Sequence, residues 1–131
     1  MPHVILRGKI SIDRFNREFK PLLEETGEWL IKAEEIYVEQ AGLRAIIPAT
    51  VVEEGHSQSF YIRISTTEKN NRLTVRLDPA TDPIKTRGVK RSIGLIGEAV
   101  LNSLTEASVE RHNLQEYFRP VQKGVVSEAE K

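Results

Sequence analysis

Four basic residues cluster in the segment Lys85-Thr86-Arg87-Gly88-Val89-Lys90-Arg91-Ser92, where the apolar spacing that follows predicts the start of a helix. A helix N-terminus attracts anions through its free N–H groups and the helix dipole, so positive side chains there oppose the dipole unless an anion lies nearby. The segment therefore predicts an anion or phosphate site. Its candidate residues are Lys85, Arg87, Lys90, Arg91 and Ser92.

The same segment has a second interpretation, because the glycine spacing and the Lys-Ser/Thr ending of a nucleotide P-loop are absent. It is then a solvated helix face whose cations pair with acids such as Asp82 and Glu98. The two interpretations differ in whether the cations already have carboxylate partners in the folded chain.

A second set of basic residues alternates with apolar residues along the predicted strands, which places the basic set on one sheet face. Tyr61 belongs to the same face. A surface of this kind suits a phosphate backbone, with the aromatic ring available for base stacking. The basic members are Arg7, Lys9, Lys32, Arg44, Arg63, Arg72 and Arg76.

Two other interpretations of this face stay open. It is an ordinary wet face if its cations pair across strands with Glu34, Glu35 and Glu39. It is a subunit interface if apolar residues dominate it, since sheets that are apolar on both faces usually bury both. The apolar residues predicted on this face are Ile5, Ile46 and Val52.

Catalytic and metal-binding patterns are weak in this chain. The histidines are His3, His56 and His112, and they show neither triad nor zinc-ligand spacing. The absence of cysteine excludes disulfides, zinc–thiolate sites and cysteine nucleophiles. We therefore predict no cofactor and no metal, and a chain that binds rather than catalyses.

The apolar periodicity predicts an α+β domain in the order β-α-β-β-β-β-α. The first strand spans 4–10 and is followed by a helix capped by Ser11, with Pro21 as a kink or restart. Strands follow at 29–39, 43–52, 60–65 and 72–77, and the last two form the clearest hairpin. We expect a mainly antiparallel sheet with the helices on one face. In topology alone this order resembles the half-repeat of the TATA-box-binding protein fold.

The late helix begins near Asp82 or Thr86, and two outcomes stay open for its end. Its apolar stripe either continues as one helix to Phe118 or gives way to a separate C-terminal helix capped by Ser108. We attribute the glycines inside it to close packing, since each costs about 1 kcal/mol relative to alanine. Residues 1–119 are predicted as one domain, and residues 120–131 as a flexible tail.

Composition and charge narrow the function classes. The 131 residues are 39% hydrophobic, and 19 basic residues balance 19 acidic ones. Residues 61–91 hold 8 basic and 3 acidic residues, a local balance of +5. The apolar run Val4-Ile5-Leu6 is short for a signal peptide, and no stretch approaches the ~20 apolar residues of a membrane span, so we expect a cytoplasmic protein with no membrane partner.

These observations lead to three hypotheses. The first is a binding module, expected to be a homodimer, whose basic surface over residues 61–91 engages an anionic partner such as a nucleic acid. The second is a small-molecule-binding protein or small enzyme with its pocket between the late helix and the sheet. There, Arg76, Arg87 or Arg91 would hold a phosphate or carboxylate and His56 would transfer protons. The third is a structural subunit of a homo-oligomer.

Overall fold

The computed structural model describes residues 1–121, which form one antiparallel sheet and two helices. Helix α1 spans Ile12–Glu18 and helix α2 spans Arg87–Ser103. The strands are β1 (His3–Gly8), β2 (Leu22–Glu25), β3 (Leu30–Ala33), β4 (Tyr37–Val38), β5 (Arg44–Glu53), β6 (His56–Thr66), β7 (Arg72–Leu77) and β8 (Ala107–His112). They lie in the order β2-β3-β5-β6-β7-β1-β8, and β4 also pairs with β5.

The long strands β5 and β6 form the centre of the sheet through a tight hairpin. Its turn residues Glu54 and Gly55 both have positive φ, as a two-residue hairpin turn of type I′ requires. Strand β6 then pairs with β7, as the alternation predicted, with Arg63 opposite Arg76 and Ile64 opposite Val75. Alternate residues therefore point to opposite faces along every strand of this hairpin.

One face of the sheet, here called the inner face, carries the core. Ile47, Ile62 and Val75 are fully buried there, and α2 packs across these strands through residues such as Ile93. Helix α1 adds Ile12 and Phe15 to the same core. The prediction of an α+β fold with an antiparallel sheet and the helices on one face is therefore confirmed.

Helix α2 begins at a side-chain cap and approaches its neighbours closely. The Thr86 hydroxyl accepts a hydrogen bond from the Val89 amide. A Cβ at Gly94 would lie 1.9 Å from the carbonyl oxygen of Tyr117, and one at Gly97 would meet Phe118 and Val4. The close packing predicted for these glycines is confirmed.

The predicted element order was wrong in three places. The first helix ends at Glu18, because Pro21 keeps Lys20 out of α geometry, and strand β2 follows. The single run predicted over 29–39 divides into β3 and β4. The expected C-terminal helix, or extension of α2, is strand β8 followed by a 3₁₀ turn at Gln115–Tyr117, because pairing with β1 satisfies the backbone of 107–112.

The described residues contain no helix that is both long enough and apolar enough to cross a membrane. Most of the tail predicted over 120–131 lies outside the described residues.

Candidate anion-binding face

The basic segment at the start of α2 is largely paired with acids. Lys85 Nζ lies 3.1 Å from Asp82, and Arg87 Nη1 lies 2.9 Å from Glu28. Arg87 also donates to the Tyr117 hydroxyl at 3.1 Å. Lys90 is the one basic residue of this segment without an ion pair inside residues 1–121.

Arg91 is buried inside a salt-bridge cluster, with a side chain that is only 5% exposed. Its guanidinium donates to both carboxylate oxygens of Glu24, at 3.0 and 3.1 Å, and to Glu98 at 2.7 Å. Burial alone would lower the pKa of Arg91, but the hydrogen bonds to Glu24 and Glu98 raise it. The hydrogen bonds from Arg91 in turn lower the pKa of Glu24 against the effect of burial.

A carboxylate of the chain itself occupies the N-terminus of α2. Glu53 accepts a hydrogen bond from the Gly88 amide at 3.0 Å and another from the Thr86 hydroxyl. Ser92 is buried and donates to the Val89 carbonyl at 2.6 Å. The ion pairs of Lys85 with Asp82 and of Arg91 with Glu98 are those that the solvated-face interpretation named.

The sheet face opposite the core, here called the outer face, brings most of the predicted strand arginines together. Cross-strand register aligns one row of five residues on it: His3, Arg76, Arg63, Ile46 and Tyr37. A second row is Arg111, Ile5, Thr74, Ser65 and Arg44. Arg7 lies opposite Arg72 in the next row. Rows on one face are about 6.6–6.8 Å apart along the strands.

The outer-face cations fall into a paired group and an unpaired group. Arg72 pairs with Glu110 at 3.0 Å, and Arg44 pairs with Glu39 at 3.1 Å. In the part of the chain that the structure describes, four arginines of this face form no ion pair. They are Arg7, Arg63, Arg76 and Arg111.

Two of the predicted basic residues lie apart from this group. Lys9 follows the end of β1 and pairs with Glu106 at 3.6 Å. Lys32 lies on β3, where it lines a depression together with Glu34 and Glu35 but forms no ion pair among the described residues. Of the pairs that the wet-face interpretation named, the structure shows the one between Arg44 and Glu39.

Two tyrosines are exposed on the outer face. Tyr61 is 43% exposed and lies opposite Pro48, two residues before Arg63 on β6. Tyr37 is 60% exposed and lies opposite Ile46 on the edge strand β4. Of the three apolar residues predicted on this face, Ile5 is only 9% exposed and Ile46 and Val52 are half-buried. Leu23, opposite Lys32 on β2, is 65% exposed at the far edge of the same face.

Sequence reasoning missed two residues of this face. Arg111 was read as part of a helix, because the apolar residues around it also fit helical spacing. Tyr37 was read as one residue of a longer strand, with no feature to separate it from its neighbours. The alternation of residues around Tyr37 was the available signal for the sheet face to which its side chain points.

The histidines do not form a catalytic or metal site within residues 1–121. No group of three or more acidic or histidine side chains there is arranged to hold a metal ion. His56 lies at the β5–β6 turn opposite Glu53, beside a cavity of about 610 Å³ that Ile84 and Arg87 also line. This cavity is the place where the small-molecule hypothesis would apply.

Comparisons with protein-family models, with curated proteins and with solved structures find no match for this chain.

Proposed function

We propose that the protein is a non-catalytic binding module that engages a nucleic acid through its outer face. The proposal centres on Arg7, Arg63, Arg76 and Arg111, with Arg72, Tyr61 and Tyr37 beside them. It leaves out Lys85, Arg87 and Arg91, because their charges have carboxylate partners and they belong to the segment at the start of α2, not to the outer face; Arg72 also has a carboxylate partner, Glu110, but lies on the outer face.

The pairing of Arg63 with Arg76 is the observation that carries the proposal. The two residues lie directly opposite each other on β6 and β7, and neither has an acidic partner among the described residues. Like charges directly opposite each other on neighbouring strands destabilise a sheet. A bound anion would offset that repulsion, so the arrangement favours a binding role over a purely structural one.

The extent of the charged area favours a polyanion over a small ligand. The unpaired arginines lie on β6, β7, β1 and β8, which are neighbours in the sheet. A backbone of repeated phosphates supplies one anion after another along such a surface. Because the formal net charge of the whole chain is zero, its affinity would come from this local arrangement and would depend strongly on salt.

A homodimer that uses the same face is the structural alternative. The burial of Ile5 and the partial burial of Ile46 weigh against it around Arg63 and Arg76, where they leave little apolar area for a partner copy. The exposed Leu23 lies at the other end of the sheet, on β2. Light scattering on the pure protein shows whether it dimerises. A stable dimer through this face would also block nucleic-acid binding as the protein concentration rises.

The small-molecule alternative rests on the cavity beside His56 and is tested separately. A ligand bound there would raise the melting temperature in a thermal-shift screen of nucleotides and acidic metabolites. If His56→Ala removed such a shift and Arg63→Ala did not, the hit would favour a pocket protein over the present proposal.

The proposal is tested by fluorescence anisotropy with labelled single-stranded and duplex oligonucleotides at two salt concentrations. Four neutralised phosphates predict a loss of affinity for single strands of about 50-fold between 50 and 200 mM salt. Absence of binding to every oligonucleotide at 50 mM salt would rule the proposal out, because phosphate contacts are strongest there.

A further inference from the structure

A cavity of about 320 Å³ opens on the outer face beside Arg63. Its lining includes Tyr37, Glu39, Arg44, Ile46, Arg63 and Asp78. The volume is at the lower end of the range for small-ligand sites in proteins, which begins at about 300 Å³. This volume is enough for a planar group of the size of a nucleobase.

Arg63 brings an unused hydrogen-bond donor to this cavity. Its Nε is buried, and it has no hydrogen-bond partner among the described residues. Buried N–H groups almost always have a partner, so such an atom calls for an explanation. Since this Nε is closed to solvent, an acceptor atom of a ligand seated in the cavity would supply that partner once the Arg63 side chain turns toward it.

We propose that this cavity receives one unpaired nucleobase, so that the outer face binds single strands in preference to duplexes. The inference rests on the proposed nucleic-acid binding and names the form of nucleic acid recognised. In a duplex, base edges are engaged in pairing and base faces in stacking. A base must therefore leave the helix before an aromatic side chain can stack on it.

The lining matches the chemistry of a single base. Tyr37 offers an exposed ring for stacking, and its cross-strand partner Ile46 adds an apolar surface. Arg63 offers a donor for a ring nitrogen or carbonyl oxygen. Asp78 offers carboxylate oxygens, one of which accepts the Ala80 amide at 2.8 Å, for an amino or imino group on the base.

The arrangement of phosphate contacts around the cavity supports the same inference. Arg76 lies beside Arg63 on the side away from Tyr37, so a strand whose base enters the cavity would place its backbone over the Arg63–Arg76 pair. Tyr61 lies outside the cavity, two residues from Arg63 on β6, and would offer a ring to a neighbouring base. Stacking on aromatic side chains tolerates any base, so we expect weak sequence preference.

The test compares a labelled 12-nucleotide single strand with the blunt-ended duplex of that strand and its complement, for wild type and three variants. Tyr37→Ala is expected to weaken single-strand binding about 5- to 10-fold, the lower end of the range for one lost base stack, and to leave duplex binding unchanged. Tyr37→Phe, which keeps the ring, should stay within about twofold of wild type. Ile84→Ala is the matched control, because Ile84 is 75% exposed and does not line this cavity.

A second arm uses a strand of the same length from which all bases are removed, because a strand that lacks only one base can shift and place another in the cavity. We expect this loss of bases to weaken binding by wild type more than binding by Tyr37→Ala, since only wild type keeps the ring that stacks on the base in the cavity. Equal affinity for strand and duplex, or an unchanged affinity of Tyr37→Ala for the single strand, would overturn the base-site inference while the nucleic-acid proposal stands. Loss of all binding in wild type would overturn both.

Discussion

The Glu53 carboxylate at the end of β5 accepts a hydrogen bond from the backbone amide of Gly88, in the first turn of α2, at 3.0 Å. A Cβ at residue 88 would lie 2.6 Å from Glu53 Cδ, so glycine permits this close approach. The sequence predicted an external anion at this helix end, and the chain supplies its own. The helix dipole disfavours positive charge at the start of α2, and the Glu53 carboxylate offsets the charge of the basic residues there.

Removing this carboxylate should destabilise the protein. Glu53→Ala loses hydrogen bonds to Gly88 and Thr86 and a negative charge near the helix N-terminus, for an expected loss of about 1–2 kcal/mol in the free energy of unfolding. Urea denaturation measures it. Glu54→Ala, at the neighbouring exposed turn position, is the control and should change stability by less than about 0.5 kcal/mol. Equal effects of the two variants would contradict this account.

Gly94→Ala should be destabilising although alanine is the better helix former. The added methyl group would lie 1.9 Å from the Tyr117 carbonyl oxygen, and backbone atoms cannot rotate aside. We expect a loss of about 2 kcal/mol or more in urea denaturation. Gly97→Ala meets side-chain atoms at 3.2–3.4 Å and should cost clearly less. An increase in stability for Gly94→Ala would show that the 3₁₀ turn is not held against α2.

Arg91→Met should be among the most destabilising single substitutions in the chain. It leaves Glu24 and Glu98 without their shared cation in a partly buried position, and losses of this kind are about 3–5 kcal/mol. Adding Glu24→Gln should recover part of the loss, because a neutral amide replaces one of the unpaired carboxylates. If the double variant were less stable than Arg91→Met alone, the cluster would not have the role described.

His112 should contribute to the pH dependence of stability. Burial, with a smaller contribution from His3, lowers the pKa of His112, and its Nδ1 accepts the Leu114 amide at 3.1 Å. Protonation is therefore disfavoured in the folded state. The contribution of neutral His112 to the free energy of unfolding is complete above the pKa of about 6.5 that histidine has in the unfolded chain. It is lost as the pH falls through the lower pKa of the folded state.

The measurement is urea denaturation between pH 7.5 and 5, for wild type and His112→Gln. The variant should lose part of the decline that wild type shows below about pH 6.5. An NMR titration of the His112 ring checks the direction, and a midpoint above that of a histidine in an unfolded peptide would contradict the prediction.

The part of the fold that depends on local alternation could be predicted from the sequence. Ile62 and Ile64 alternate with Arg63 and Ser65, which was enough to predict strand β6, its pairing with β7 and the shared face of Arg63 and Arg76. The apolar stripe indicated α2 in the same way and left its start open between Asp82 and Thr86; the structure has the cap at Thr86.

Contacts between distant parts of the chain were not visible. Glu24 and Arg91 are 67 positions apart, and no local pattern indicates that α2 packs beside β2. Strand β8 was missed because Ala107 and Leu114 are also compatible with helical spacing, and the available edge of β1 decides the outcome. Arg111 was lost from the predicted surface for that reason.

The central claim concerns the Arg63–Arg76 pair, and the salt dependence of binding tests it most directly. Four phosphate contacts predict that log affinity for a single strand falls against log salt concentration with a slope of about −2.8. Arg63→Ala/Arg76→Ala should make this slope shallower, at about −1.4. Arg14→Ala/Arg17→Ala removes the same charge from α1, on the core side of the sheet, and should keep the wild-type slope. Equal slopes for the two double variants would contradict the claim that the outer face is the binding surface.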